Sequence, residues 1–84
     1  MFYKVKEVKP LTDYKLLVLF TNDTVKEYDV KPLLDKWQSF QMLNIDKLFE
    51  CVRVDTGGHG IVWNDELDLS ANELWNNGKP TTKH

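Results

Sequence analysis

His59 stands in Thr56-Gly57-Gly58-His59-Gly60, with Asp55, Asp65 and Asp68 close by in sequence. A histidine beside carboxylates could bind a metal or act in acid–base catalysis. The spacing matches none of the established ligand patterns, so a histidine flanked by glycines reads as an exposed turn residue. The same glycines could cradle an anion, but a phosphate loop opens onto a helix N-terminus and this segment joins two strand-like runs. Asp29 and Asp68 each precede a helical pattern, where a carboxylate can accept backbone N–H groups and sit well against the helix dipole. They could form a catalytic dyad only if the two helix starts met across a cleft, which no sequence feature demands. Cys51 lies between Phe49 and Val52 in a setting that suits a small buried apolar residue. An activated thiolate there would need a nearby cation or helix N-terminus, and Arg53 reads as pointing to the opposite side of its strand from Val52. No catalytic residue, metal ligand or cofactor contact is therefore assigned. Trp63, Trp75 and His59 are the candidates for contact with a partner, since large aromatic side chains anchor many interfaces. Core packing is the competing role for both tryptophans.

The elements that must position these residues follow from the periodicity. Tyr3 to Val8 mixes Val5 and Val8 with lysines and ends at Pro10, which reads as an edge strand. Thr12-Asp13 is a turn. Tyr14, Leu16, Val18 and Phe20 share one face of the next run while Leu17 and Leu19 make the other partly apolar, which predicts a central strand covered on both sides. Thr21 to Thr24 reverses the chain, and Val25 to Val30 turns Tyr28 and Val30 inward. A helix begins near Lys31-Pro32, with Leu33, Leu34 and Trp37 on one face and Trp37 at the core or its rim. Asn44 or Asp46 can cap a second short helix carrying Ile45, Leu48 and Phe49. Val52 and Val54 then lead into a hairpin through the glycine turn to Ile61-Val62-Trp63. Ser70 and Glu73 match the capping box, Leu69 and Leu74 the hydrophobic staple, and Gly78 and Pro80 stop the helix. The run from Phe20 to Leu34 echoes that from Trp63 to Leu74, each a turn, a short strand and a helix entered behind an aspartate. Such grammar recurs by chance, so the echo supports only the layout.

Eighty-four residues suit one domain over residues 1–78, with residues 79–84 as a frayed tail. The fold class is α+β: a small antiparallel sheet, made of an N-terminal three-stranded meander plus a second hairpin, packed with two or three short helices. A hydrophobic fraction of 42% with three Trp, three Tyr and four Phe is enough for a core without disulfides or metals. Eleven basic against thirteen acidic residues give a net charge of −2, which disfavours nucleic acid as a partner of the monomer and attachment to an anionic membrane. Lys4, Lys6, Lys9 and Lys15 read as edge-strand lysines that discourage aggregation. Cys51 has no second cysteine to pair with, and the longest apolar run, Leu16 to Phe20, is too short to span a membrane. The expected location is the cytoplasm.

Leu16-Leu17-Val18-Leu19-Phe20, Tyr28-Asp29-Val30-Lys31-Pro32-Leu33-Leu34, Leu48-Phe49 to Val54-Asp55 and Ile61-Val62-Trp63 to Leu67-Asp68-Leu69 resemble the small bacterial family called domain of unknown function 2442. The similarity runs from about Tyr3 to Trp75. It implies a compact α+β domain that carries a helix-turn-helix extension in some longer relatives and is sometimes encoded beside another small protein in presumed toxin–antitoxin pairs. The 84 residues leave no room for that extension, and the family offers no established catalytic residues. The leading expectation is a non-enzymatic protein-interaction module, antitoxin-like in such a pair, with another small protein as partner. One alternative is a ligand or enzymatic site around His59, Asp65 and Asp68. A second is a DNA-binding regulator that gathers the Lys4 to Lys15 lysines on one face by forming a homodimer.

Overall fold

The computed structural model describes residues 3–44 and 47–81. Its strands and helices run β1 (Val5–Pro10), β2 (Lys15–Phe20), β3 (Val25–Asp29), α1 (Lys31–Lys36), β4 (Arg53–Val54), β5 (Gly60–Asn64), β6 (Leu67–Ser70), α2 (Ala71–Asn77) and β7 (Lys79–Pro80). Two antiparallel sheets result, ordered β1-β2-β3-β7 and β4-β5-β6. Each half is thus a three-stranded meander followed by a short helix; the second hairpin expected from sequence gains β6 as a third strand, and the turn, strand and helix of the sequence echo close each half. The α+β reading stands.

β2 is the central strand that its two-sided pattern requires. Leu16, Val18 and Phe20 are buried on one face, and Leu17 is also buried on the other. β1 is a sheet edge, with Lys6, Glu7 and Lys9 exposed and a register shift between Val5 and Glu7 that breaks the ladder there. Tyr28 and Val30 turn inward from β3 and its end. In the second half Ile61, Trp63, Leu67 and Leu74 complete the same core. The two halves meet closely at the glycine turn: Gly58 adopts φ +74°, and a Cβ there would lie 2.6 Å from the carbonyl oxygen of Val5. Only glycine permits both that backbone and that approach.

α2 begins as read. Ser70 is the N-cap, and its Oγ accepts from the backbone N–H of Glu73 at 3.1 Å. The Glu73 carboxylate is engaged elsewhere in the core rim, accepting from Tyr28 and Asn77. Replacing Ser70 by alanine removes the cap acceptor and is expected to cost about 1 kcal/mol, while aspartate preserves it. Thermal unfolding checks this, with a drop of roughly 4–8 °C for alanine and little change for aspartate.

Several expectations give way to the geometry. α1 ends at Lys36, and Trp37 takes an extended conformation (φ −122°, ψ 118°), so its ring leaves the helical face and is 52% exposed rather than in the core. In place of the expected second short helix there is a 3₁₀ segment, Leu48–Cys51, preceded by Lys47 in the left-handed region at φ 63°, and the stretch before it forms another 3₁₀ segment, Gln38–Asn44. The backbone at Lys47 cannot continue a right-handed helix. Ile45 and Asp46, invoked as its start, lie outside the described residues. Cys51 is exposed, because it ends the second 3₁₀ segment instead of entering a strand. Lys79–Pro80, expected in a frayed tail, pair with Glu27 and Lys26 of β3. The remainder of that tail, residues 82–84, lies outside the described residues.

Candidate functional site

An open groove of about 730 Å³ lies within the range typical of ligand clefts. It is built where the two halves face each other. Pro32 and Leu33 of α1, Trp37 and Phe40 supply an apolar wall, and Leu69 of β6 adds an apolar contact from the other half. Trp37 is placed here because α1 stops one residue short of it. Among the described residues it alone of the large hydrophobic side chains is exposed. Its backbone N–H still donates to the Leu33 carbonyl at 2.9 Å, and the Lys36 ammonium lies 5.6 Å from the ring centroid. Exposing such a ring beside other apolar groups marks an interaction surface more readily than a scattered surface residue would.

Polar groups frame the apolar wall. Asp29 and Asp68 both line the groove, one from each half and each on the strand that precedes a helix. Asp29 Oδ1 accepts from the Lys31 backbone N–H at 3.0 Å, steadying the entry to α1 although Val30 is the N-cap. Asp68 lies within β6, two residues ahead of the Ser70 cap, so it does not cap α2. Glu27 pairs with Lys15 at 3.7 Å. Glu73 Oε2 accepts from the Tyr28 hydroxyl and from Asn77 Nδ2, both at 2.8 Å.

Tyr28 ties β3 to α2. Burial, then the hydrogen bond to Glu73, push its hydroxyl well above the ordinary tyrosine range. The folded chain therefore holds a proton that the unfolded chain releases above about pH 10, so this stabilisation is complete below pH 10 and declines as pH rises beyond it. Tyr28→Phe is expected to cost about 0.5–1.5 kcal/mol at pH 7 and to flatten the loss of stability above pH 10. Urea unfolding of both proteins at pH 7 and pH 11 checks the difference.

The residues singled out from sequence separate in space. His59 is exposed just before β5, and Asp65 lies in the turn just after it. At about 3.3–3.4 Å per residue the five-residue strand holds them roughly 17–20 Å apart. Asp68 pairs with Val62, midway along β5. Among the described residues no three His, Cys, Asp or Glu side chains gather to hold a metal ion. The glycine turn joins β4 to β5 and opens onto no helix.

Trp63 is only 2% exposed, and its Nε1–H donates to the Phe49 carbonyl at 3.2 Å. The core has claimed it, so its indole is not available as a partner anchor. Trp75 is half-buried and covered: Tyr3 stacks on it at 3.9 Å between centroids and 9° between planes, and the Lys26 ammonium lies 4.0 Å from its centroid. Lys26 Nζ also donates to the Trp75 carbonyl in the last turn of α2, an orientation that suits the helix dipole. Reasoning from sequence thus missed Trp37. Its helical spacing from Leu33 and Leu34 argued for the core, and the early end of α1 has no glycine to announce it.

Comparison with solved structures finds a protein of Nitrosomonas europaea, described as a candidate DNA-binding protein, with TM-score 0.79 and 21% identity. The match covers 92% of this chain and 49% of that one, so the chain spans about half the length of the solved relative. At that identity the likeness is one of fold. No curated protein matches the chain. The pattern of the family described as protein of unknown function (DUF2442) matches residues 5–80, nearly the whole chain. The matched stretch takes in both meanders, both helices and the Tyr28 to Leu34 run beside the groove: the chain belongs to DUF2442.

Proposed function

We propose that this domain is a non-enzymatic, cytoplasmic protein-interaction module whose partner docks in the groove between the two halves, with Trp37 as the anchor. The observation that carries this reading is the 52% exposure of Trp37 beside Pro32, Leu33, Phe40 and Leu69. A tryptophan left half in water costs hydrophobic stabilisation that a partner restores, and tryptophans are the residues most enriched among interface hot spots. Three of the groove carboxylates hold structural partners, Glu27 with Lys15, Asp29 with the Lys31 N–H and Glu73 with Tyr28, which favours recognition over catalysis. The lone exposed thiol of Cys51 fits a reducing compartment. The antitoxin-like role is the form of this reading in which the partner is another small protein.

The test is capture from the host lysate by the tagged domain, with a nuclease-treated control, beside the Trp37→Ala variant. A small protein bound stoichiometrically by the native chain and lost from the variant is the expected result. A protein bound equally by both places the interface elsewhere.

The solved relative's description favours a second reading, a DNA-binding regulator assembled as a dimer. Lys4, Lys6 and Lys9 are exposed at the β1 edge, while Lys15 is engaged with Glu27. Net charge −2 works against it. Anisotropy titration of labelled duplex DNA decides, since this reading requires binding that persists near physiological salt.

A further inference from the structure

The groove is bordered by strand-edge backbone that no strand among the described residues meets, and this bears on the shape of the partner. In an antiparallel pair, residues directly opposite alternate between those that exchange backbone bonds and those that do not. The Ala71 N–H donates to the His59 carbonyl at 2.9 Å, and Ile61 pairs with Leu69 two positions along. Leu69 therefore spends its N–H and C=O on β5, and those of Asp68 project from the opposite edge of β6. β6 is the terminal strand of its sheet, so no strand among the described residues meets that edge.

The same alternation applies in the other sheet. Phe20 N–H donates to Thr24 and Val30 N–H to Tyr14, both at 2.9 Å, which directs the backbone of Asp29 away from β2. β7 pairs only with Lys26 and Glu27, and the Thr81 N–H reaches the Val25 carbonyl at 3.0 Å. Asp29 lies beyond that cover. Among the described residues no strand thus takes up the outward N–H and C=O of Asp68 in one sheet or of Asp29 in the other, and both aspartates line the groove that Trp37 borders. A globular surface meets such groups poorly, whereas an extended chain satisfies them in register.

We infer that the groove takes an extended polypeptide segment that adds as a strand to the outer edge of β6 at Asp68. Main-chain bonds hold it, and an apolar side chain on its inward face packs against Trp37, Leu33 and Leu69. Strand addition draws affinity from the backbone and selectivity from alternate side chains. The segment carries no proline at the bonded positions, since proline lacks the donor. This inference rests on the partner-binding reading and adds the mode of capture to it.

The test uses a phage-displayed library of random twelve-residue peptides panned on the native chain, with Trp37→Ala as the counter-screen and circular dichroism confirming that the variant is folded. A selected peptide is then synthesised with single backbone N-methyl groups placed at each position in turn. Loss of about tenfold or more at alternate amides, with little loss at those between, is the result expected of an added strand. Uniform tolerance of N-methylation in a Trp37-dependent peptide overturns strand addition and leaves the docking site standing. Failure to select any Trp37-dependent peptide also overturns it, while cross-linking to a full-length protein partner decides the broader reading separately.

Discussion

Replacement of Trp63 by alanine is expected to destabilise the domain by about 3–5 kcal/mol, the range for removing a large aromatic from a core. Trp63 is buried to 2% exposure, contacts Phe40 edge-on at 6.0 Å and lies 6.3 Å from Phe49 between ring centroids. Truncation opens a cavity at the junction of the two halves. It also strands the buried Phe49 carbonyl that now accepts from the indole N–H, and an orphaned acceptor adds its own cost. A domain of this size has a small margin of stability, so a fall of roughly 15 °C or more in Tm is expected. Trp63→Phe keeps most of the packing and loses the donor, so it should fall between alanine and the native chain. Urea denaturation measures both, and a cost below about 1 kcal/mol for alanine would contradict the core assignment.

Trp37→Ala should show the opposite pattern. Its ring is half in solvent, so stability should change by no more than about 0.5 kcal/mol, as for surface positions generally. Partner affinity should fall by about 2 kcal/mol or more, close to thirtyfold in Kd, because a central tryptophan commonly dominates an interface. Calorimetric titration of the captured partner against both chains checks this. Equal affinity would remove Trp37 from the interface.

The contrast between these two tryptophans shows where the sequence is legible. Period-two alternation placed β1, β2 and β3 in order, because each strand has one face that must be buried and a register slip would expose it. Ser70 and Glu73 marked the start of α2 because capping is local chemistry over four residues. The groove was not legible, since it depends on Asp29 and Asp68 approaching one cleft from opposite halves. Sequence reasoning stated that condition for a dyad but had no means of deciding it. Trp37 was placed in the core because its spacing from Leu33 and Leu34 assumes one more helical residue than α1 has. Helix ends shift by a residue or two with tertiary context, and one residue rotates a side chain by about 100°. Trp63 was offered as a partner contact although its N–H finds a carbonyl acceptor inside the fold, a pairing visible only once the Leu48–Cys51 turn is placed.

Site-specific photo-crosslinking tests the docking groove most directly. A benzophenone amino acid replaces Lys79, which is exposed at the groove, or Glu7, on β1 at the far edge of the same sheet. Irradiation in the host cell should attach a single small protein through position 79 and not through position 7, with the adduct abolished by Trp37→Ala. The same protein cross-linked only through position 7, or nucleic acid in place of protein at position 79, would contradict the assignment of the groove as a protein-docking site.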